Sequence, residues 1–206
     1  MRTDCHSLPT MNLPLTFIDL LRCVATETAR MSYPGSMSRG NRPVVYKETK
    51  KSLEEYFCTE FPLADLLNSA ENIARQYDDW HYDRVNELSA VLTSQGKVAN
   101  PNLSMPVAAK FINTFMHQLM KYEKARPIFS VLHLPLDARV FGKLRSIRSP
   151  ALANVRQYFR KSPYSLDYTA HCEIQEALCS FIAELNARQG MEFHIESRIE
   201  LNWLWL

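Results

Sequence analysis

LSMPVAAKFINTFMHQLMKY, from Leu103 to Tyr122, carries the clearest helical pattern in the chain. Ser104 is suited to cap a helix and Pro106 to sit in its first turn. Val107, Ala108, Phe111, Ile112, Phe115, Leu119 and Tyr122 then recur at helical period and make a wide apolar stripe of the kind that faces a core. Lys110 lies at the edge of that stripe with Asn113 and His117, where a lysine is ordinarily solvated.

The same period recurs on both sides. Pro14 opens a helix through Phe17, Leu21, Val24 and Thr28 that ends near Met31. Residues 32 to 46 read as a loop, because Pro34, Gly35, Gly40 and Pro43 punctuate them. A helix resumes near Lys47 and stops before Pro62; another opens there through Leu63, Leu66, Leu67, Ala70 and Ile73, and continues or kinks after Tyr77. Gly96 and Pro101 mark a turn. Beyond the central stretch, Ile128 to Leu134 is an apolar run of either type. Asp137 precedes a helix with Val140, Phe141 and Leu144, and Ser149-Pro150 starts one with Leu152, Val155 and Phe159. Ser165 is expected to cap the longest helix, which runs to Gly190. The tail, residues 191 to 206, alternates at Phe193, Ile195, Ile199, Leu201, Trp203 and Trp205, and is expected to be extended. The whole reads as an all-α fold, a single compact domain of roughly seven or eight helices with an apolar C-terminal tail.

Composition agrees with this. A chain of 206 residues, 46% hydrophobic, can bury one substantial core. Five cysteines with no short-spaced pair fit a disulfide framework poorly and point to a reducing cytoplasm. No run approaches the roughly 18 apolar residues of a membrane span, and no signal peptide is evident. Two clusters invite a metal reading and do not support it. Asp78, Asp79, His81 and Asp83 read as a solvated acidic face. His171, Cys172, Glu176 and Cys179 lack paired spacing, and the two cysteines are expected to face the core. No cofactor or metal is expected.

The formal net charge of +2 is small, but it is unevenly spread. After Asp137 no acidic residue occurs until Asp167, while Arg139, Lys143, Arg145, Arg148, Arg156, Arg160 and Lys161 fall between them. Such a single-sign segment can steer a polyanion.

Pro106-Val-Ala-Ala-Lys110-Phe-Ile-Asn113, followed by Leu134-Pro-Leu-Asp137-Ala-Arg-Val-Phe141, resembles the active-site region of helix-hairpin-helix DNA glycosylases, particularly the 8-oxoguanine glycosylase-like branch. It is also similar to uncharacterised bacterial proteins with a lysine-asparagine helix and a proline-Asp turn. The resemblance implies a DNA-binding, glycosylase-like protein acting on a flipped base, with Lys110 as nucleophile or phosphate contact and Asp137 as the catalytic carboxylate. The seven basic residues would hold the backbone. The chemistry is coherent: departure of a base builds positive charge on the sugar, which a fixed carboxylate stabilises, and an amine can attack the anomeric carbon. Two other readings stay open. Asp137 is also a common type of helix cap. The chain can equally be read as a non-catalytic helical interaction subunit of a bacterial multi-protein assembly. It would then dock on a protein partner, or on a second copy of itself, through Trp203, Leu204, Trp205 and Leu206.

Overall fold

The computed structural model describes residues 25–29, 45–46, 48–189 and 194–201. They form an all-α fold whose α-helices are α1 (Thr49–Thr59), α2 (Leu63–Asn68), α3 (Ala70–Arg75), α4 (Tyr77–Ser94), α5 (Ser104–Leu119), α6 (Ala138–Ser146) and α7 (Tyr168–Gln189). Residues 25–29 are also helical.

Helix α5 is the centre. Eleven of its 16 residues are buried, so it is covered well beyond the apolar stripe. Phe115 stacks on Phe57 of α1 at 4.0 Å between ring centroids and meets Phe61 at 4.9 Å; Phe61 in turn sets its edge against Trp80 of α4. Aromatic side chains thus tie three helices together, each pair contributing about 0.5–1.5 kcal/mol beyond area burial. Helix α4 packs along α5. It closes at Gly96, whose φ of 59° lets Lys97 N–H reach back to the Leu92 carbonyl.

The core has two apolar clusters. One gathers around α5 and takes residues from Ala25 to Leu132 together with Ile199; the other gathers between α6 and α7 and runs from Leu134 to Leu201. The boundary between them in sequence is His133. The backbone there is extended, so its polar groups need partners from outside any helix. Arg198 supplies two: its guanidinium donates to the carbonyls of Val131 and Leu132. Gln175 of α7 supplies two more, accepting from Leu134 N–H and donating to Leu134 C=O, both at 2.9 Å.

Several expectations change. The helix expected from Pro62 is divided into α2, α3 and α4, because Ser69 and Gln76 leave the helical region at φ −123° and −131°. Ser104 is the first helical residue of α5 rather than its cap, since its hydroxyl accepts from Ser89. The run after Pro127 belongs to a 3-10 segment, Glu123–Val131, before the extended stretch. Ser149 starts only 3-10 turns, Pro150–Leu152 and Tyr158–Arg160, with its hydroxyl accepting from Ala151 N–H. Helix α7 begins after Asp167, whose carboxylate accepts from Ala170 N–H, and not after Ser165. Cys172 is half-buried and Cys179 exposed, so neither is core-facing. In the tail, Ile195, Ile199 and Leu201 are buried, and residues 198–201 form a turn and the start of a helix rather than an extended run. Residues 32–44 of the loop expected over 32–46, the first expected helix outside residues 25–29, Gly190, Phe193 and the docking residues Trp203, Leu204, Trp205 and Leu206 lie outside the described residues.

Gln175→Met keeps the side-chain volume but leaves the Leu134 N–H and C=O buried without partners. Unfolding free energy from urea denaturation is expected to fall by about 2–4 kcal/mol. Exposed Gln157→Met should stay within about 0.5 kcal/mol of wild type.

Candidate functional site

Where the two clusters meet, three histidines converge. His81 comes from α4, His133 from the extended segment and His171 from α7; their exposures are 0%, 1% and 6%. Ring centroids of His81 and His133 are 4.4 Å apart, and His133 and His171 are 5.2 Å apart.

The partners decide where the protons sit. His81 Nε2 is 2.8 Å from Asn113 Oδ1, which only accepts, so Nε2 carries the proton. Its Nδ1, 2.7 Å from Tyr168 Oη, then accepts from the phenol. His133 Nε2 is 2.7 Å from the Asp78 carboxylate and donates to it. His133 Nδ1 is therefore a lone pair, and it accepts from His171 Nε2 at 3.1 Å. Asp78 reaches this group from the surface, its side chain 69% exposed. The acidic face keeps Asp79 and Asp83 in solvent, as expected, but Asp78 is engaged with a buried ring.

Burial keeps all three imidazoles neutral. It pushes His81 down to about 4, and it holds His133 and His171 well below the ordinary histidine value, with repulsion among the rings adding to the effect. Burial also raises the Tyr168 phenol.

Lys110 stands beside this group. It is 8% exposed, contrary to the expectation of a solvated lysine, because α5 is covered on this side by the segment from Pro163 to Tyr168. Its Nζ donates to Tyr164 Oη at 3.1 Å. Among the described residues it makes no ion pair. It lines a cavity of ≈ 10 Å³ together with Leu136, Pro163, Asp167, Tyr168 and His171, enough for about one water. On the Asp78 side lies a wider pocket of ≈ 640 Å³, lined by Tyr77, Asp78, Asp79, Glu176, Cys179 and Arg198 among others.

Asp137 caps α6. Its Oδ1 accepts from Arg139 N–H and Val140 N–H, each at 2.9 Å, and Oδ2 faces Arg139 Nε at 3.8 Å. It does not line the Lys110 cavity; its neighbour Leu136 does. Arg139, Lys143, Arg145, Arg148, Arg160 and Lys161 are exposed. Arg156 is half-buried and donates to the Ile147 carbonyl at 3.0 Å, beyond the end of α6.

Sequence reasoning did not bring the histidines together. They stand far apart in the chain on separate elements, and the sequence offers each only its local neighbours. One signal was legible: a histidine in the apolar run before Pro135 is out of place in a core unless it has partners. One nitrogen from each ring lies within 4.8 Å of the others, a spacing that could hold a metal ion. The described residues include no helix long and apolar enough to cross a membrane. No family model, curated protein or solved structure matches this chain.

The depressed histidines tie stability to pH. Their folded values lie below the unfolded value, so the stabilisation is complete above about pH 6.5 and is lost as pH falls through that point toward the folded values. Urea denaturation in the presence of a chelator should show unfolding free energy decreasing below pH 6.5. The slope should approach roughly 4 kcal/mol per pH unit where all three rings act together. A flat profile between about pH 7 and 5 would mean that the folded cluster takes up a proton.

Proposed function

We propose that this chain is a DNA-binding protein with glycosylase-like base-excision chemistry, working in a reducing cytoplasm. One observation carries the reading: Leu136 and Pro163, which flank the basic residues from Arg139 to Lys161 on either side, both line the cavity whose wall holds the buried Lys110. A strand held by Arg139, Lys143, Arg145, Arg148, Arg160 and Lys161 would therefore lie beside that lysine. In this reading Lys110, after giving up a proton, attacks the anomeric carbon as a neutral amine; the C–N glycosidic bond breaks and the base leaves with a proton. Asp137, which caps α6 and does not line the Lys110 cavity, stabilises the positive charge on the sugar when the bound strand brings the sugar to the start of α6. Arg156 supports the basic surface through Ile147 more than it contacts phosphate. A cavity of ≈ 10 Å³ does not admit a base, so the reading requires the Pro163–Ser165 turn to move outward when a flipped base arrives.

A second reading, the non-catalytic interaction subunit, is favoured by the ordinary capping geometry of Asp137.

Binding to duplex DNA carrying an abasic-site analogue, followed by fluorescence anisotropy across a salt series, tests the proposal. Salt-sensitive binding is expected, and Arg145→Ala/Arg148→Ala should reduce the slope of log K against log salt by about 1–2. With damaged-base duplexes, Asp137→Asn should slow excision by about 10²-fold or more. Borohydride should trap a protein–DNA adduct with wild type and not with Lys110→Ala. Absence of binding at low salt would leave the interaction-subunit reading in its place.

A further inference from the structure

We propose that His81, His133 and His171 form a binding site for a divalent transition-metal ion of the imidazole-preferring kind, such as zinc, nickel, copper or iron. The inference does not depend on DNA binding. It stands on where the lone pairs point.

Metal-binding histidines characteristically donate the ring N–H that does not face the ion to a carboxylate or carbonyl oxygen. His133 does so to Asp78 and His81 does so to Asn113. Both of these partners fix the proton on Nε2 and leave Nδ1 of each ring as the coordinating nitrogen; that of His81 accepts from the Tyr168 phenol at 2.7 Å, so an ion binds there by displacing that hydroxyl. His133 Nδ1 lies 3.1 Å from His171 Nε2. Two nitrogens each about 2.0–2.1 Å from a tetrahedral zinc ion are roughly 3.3 Å apart, so this pair already spans close to one edge of such a site. An ion there takes the lone pair of His171 Nε2 once the single proton of that ring has moved to its Nδ1, so the ring stays neutral and no net proton is released. His81 completes the set, with one nitrogen from each ring inside 4.8 Å.

The surroundings suit a cation of this class. All three rings are held neutral, the state in which imidazole binds metal. Arg198 acts against positive charge here and the Asp78 carboxylate acts for it. Asn113 Nδ2 is buried without a partner in the described structure. Its oxygen makes the bond to His81 Nε2. His171 and Tyr168 also line the water-sized cavity beside Lys110, which places a water within reach as the fourth donor.

Cobalt(II), titrated into the chelator-treated full chain, is the probe. One equivalent is expected to bind with the intense visible d–d bands of a four-coordinate ion. His171→Ala should abolish those bands. Because that variant opens a cavity, Asp78→Asn is the companion: it alters an exposed side chain, leaves the three ligands in place and should weaken cobalt binding about 10–100-fold. His194→Ala, an exposed histidine elsewhere, should bind as wild type does. Substoichiometric binding, a spectrum typical of six-coordinate cobalt only, or equal affinity in the wild type and Asp78→Asn would overturn the site and leave a hydrogen-bonded histidine cluster.

Discussion

Hydrogen bonding along the seam between the two apolar clusters fixes how they sit against each other. Hydrophobic burial within each cluster is non-directional and would tolerate many relative placements. The seam does not, because His81 of α4 accepts from Tyr168 of α7, and His133 is held between Asp78 of α4 and His171 of α7. An unmatched buried donor or acceptor costs about 1–3 kcal/mol, so sliding one cluster against the other is opposed by several such penalties at once. The polar groups add little net stability when paired and specify one arrangement by what they cost when unpaired.

Helix α5 shows how a core element can carry a site without losing its structural role. Phe111, Ile112, Phe115 and Leu119 face the first cluster, while Lys110 and Asn113, three residues apart, share the face toward the seam. Asn113 fixes His81 and Lys110 reaches Tyr164, so one turn of one helix touches both the histidine group and the basic lobe.

The architecture was largely legible because helical periodicity is a local signal. The α5 stripe, the Asp137 cap, the Gly96 turn and the exposed acidic face at Asp79 and Asp83 all follow from residues within a few positions of one another. The burial of Lys110 was not legible, since the segment that covers it lies more than fifty residues downstream, at Pro163 and Tyr164. The 3-10 character of residues 150–160 was hidden as well. There the apolar spacing of Leu152, Val155 and Phe159 is compatible with either helix type, and the tighter turn is set by tertiary packing. Least legible were the histidines, because a cluster assembled from three elements leaves no spacing pattern behind.

Charge divides the surface on the two sides of the seam. Asp78, Asp79 and Glu176 line the ≈ 640 Å³ pocket at which the Asp78–His133 bond emerges. The exposed arginines and lysines of residues 139–161 occupy the segment whose ends flank the Lys110 cavity. The first side carries three carboxylates beside Arg75 and Arg198, the second is basic, and His133 and His171 are hydrogen-bonded to each other between them. Asp78, His133 and His171 are linked by hydrogen bonds of 2.7 and 3.1 Å, a continuous polar connection through the core from the acidic pocket to the wall of the Lys110 cavity.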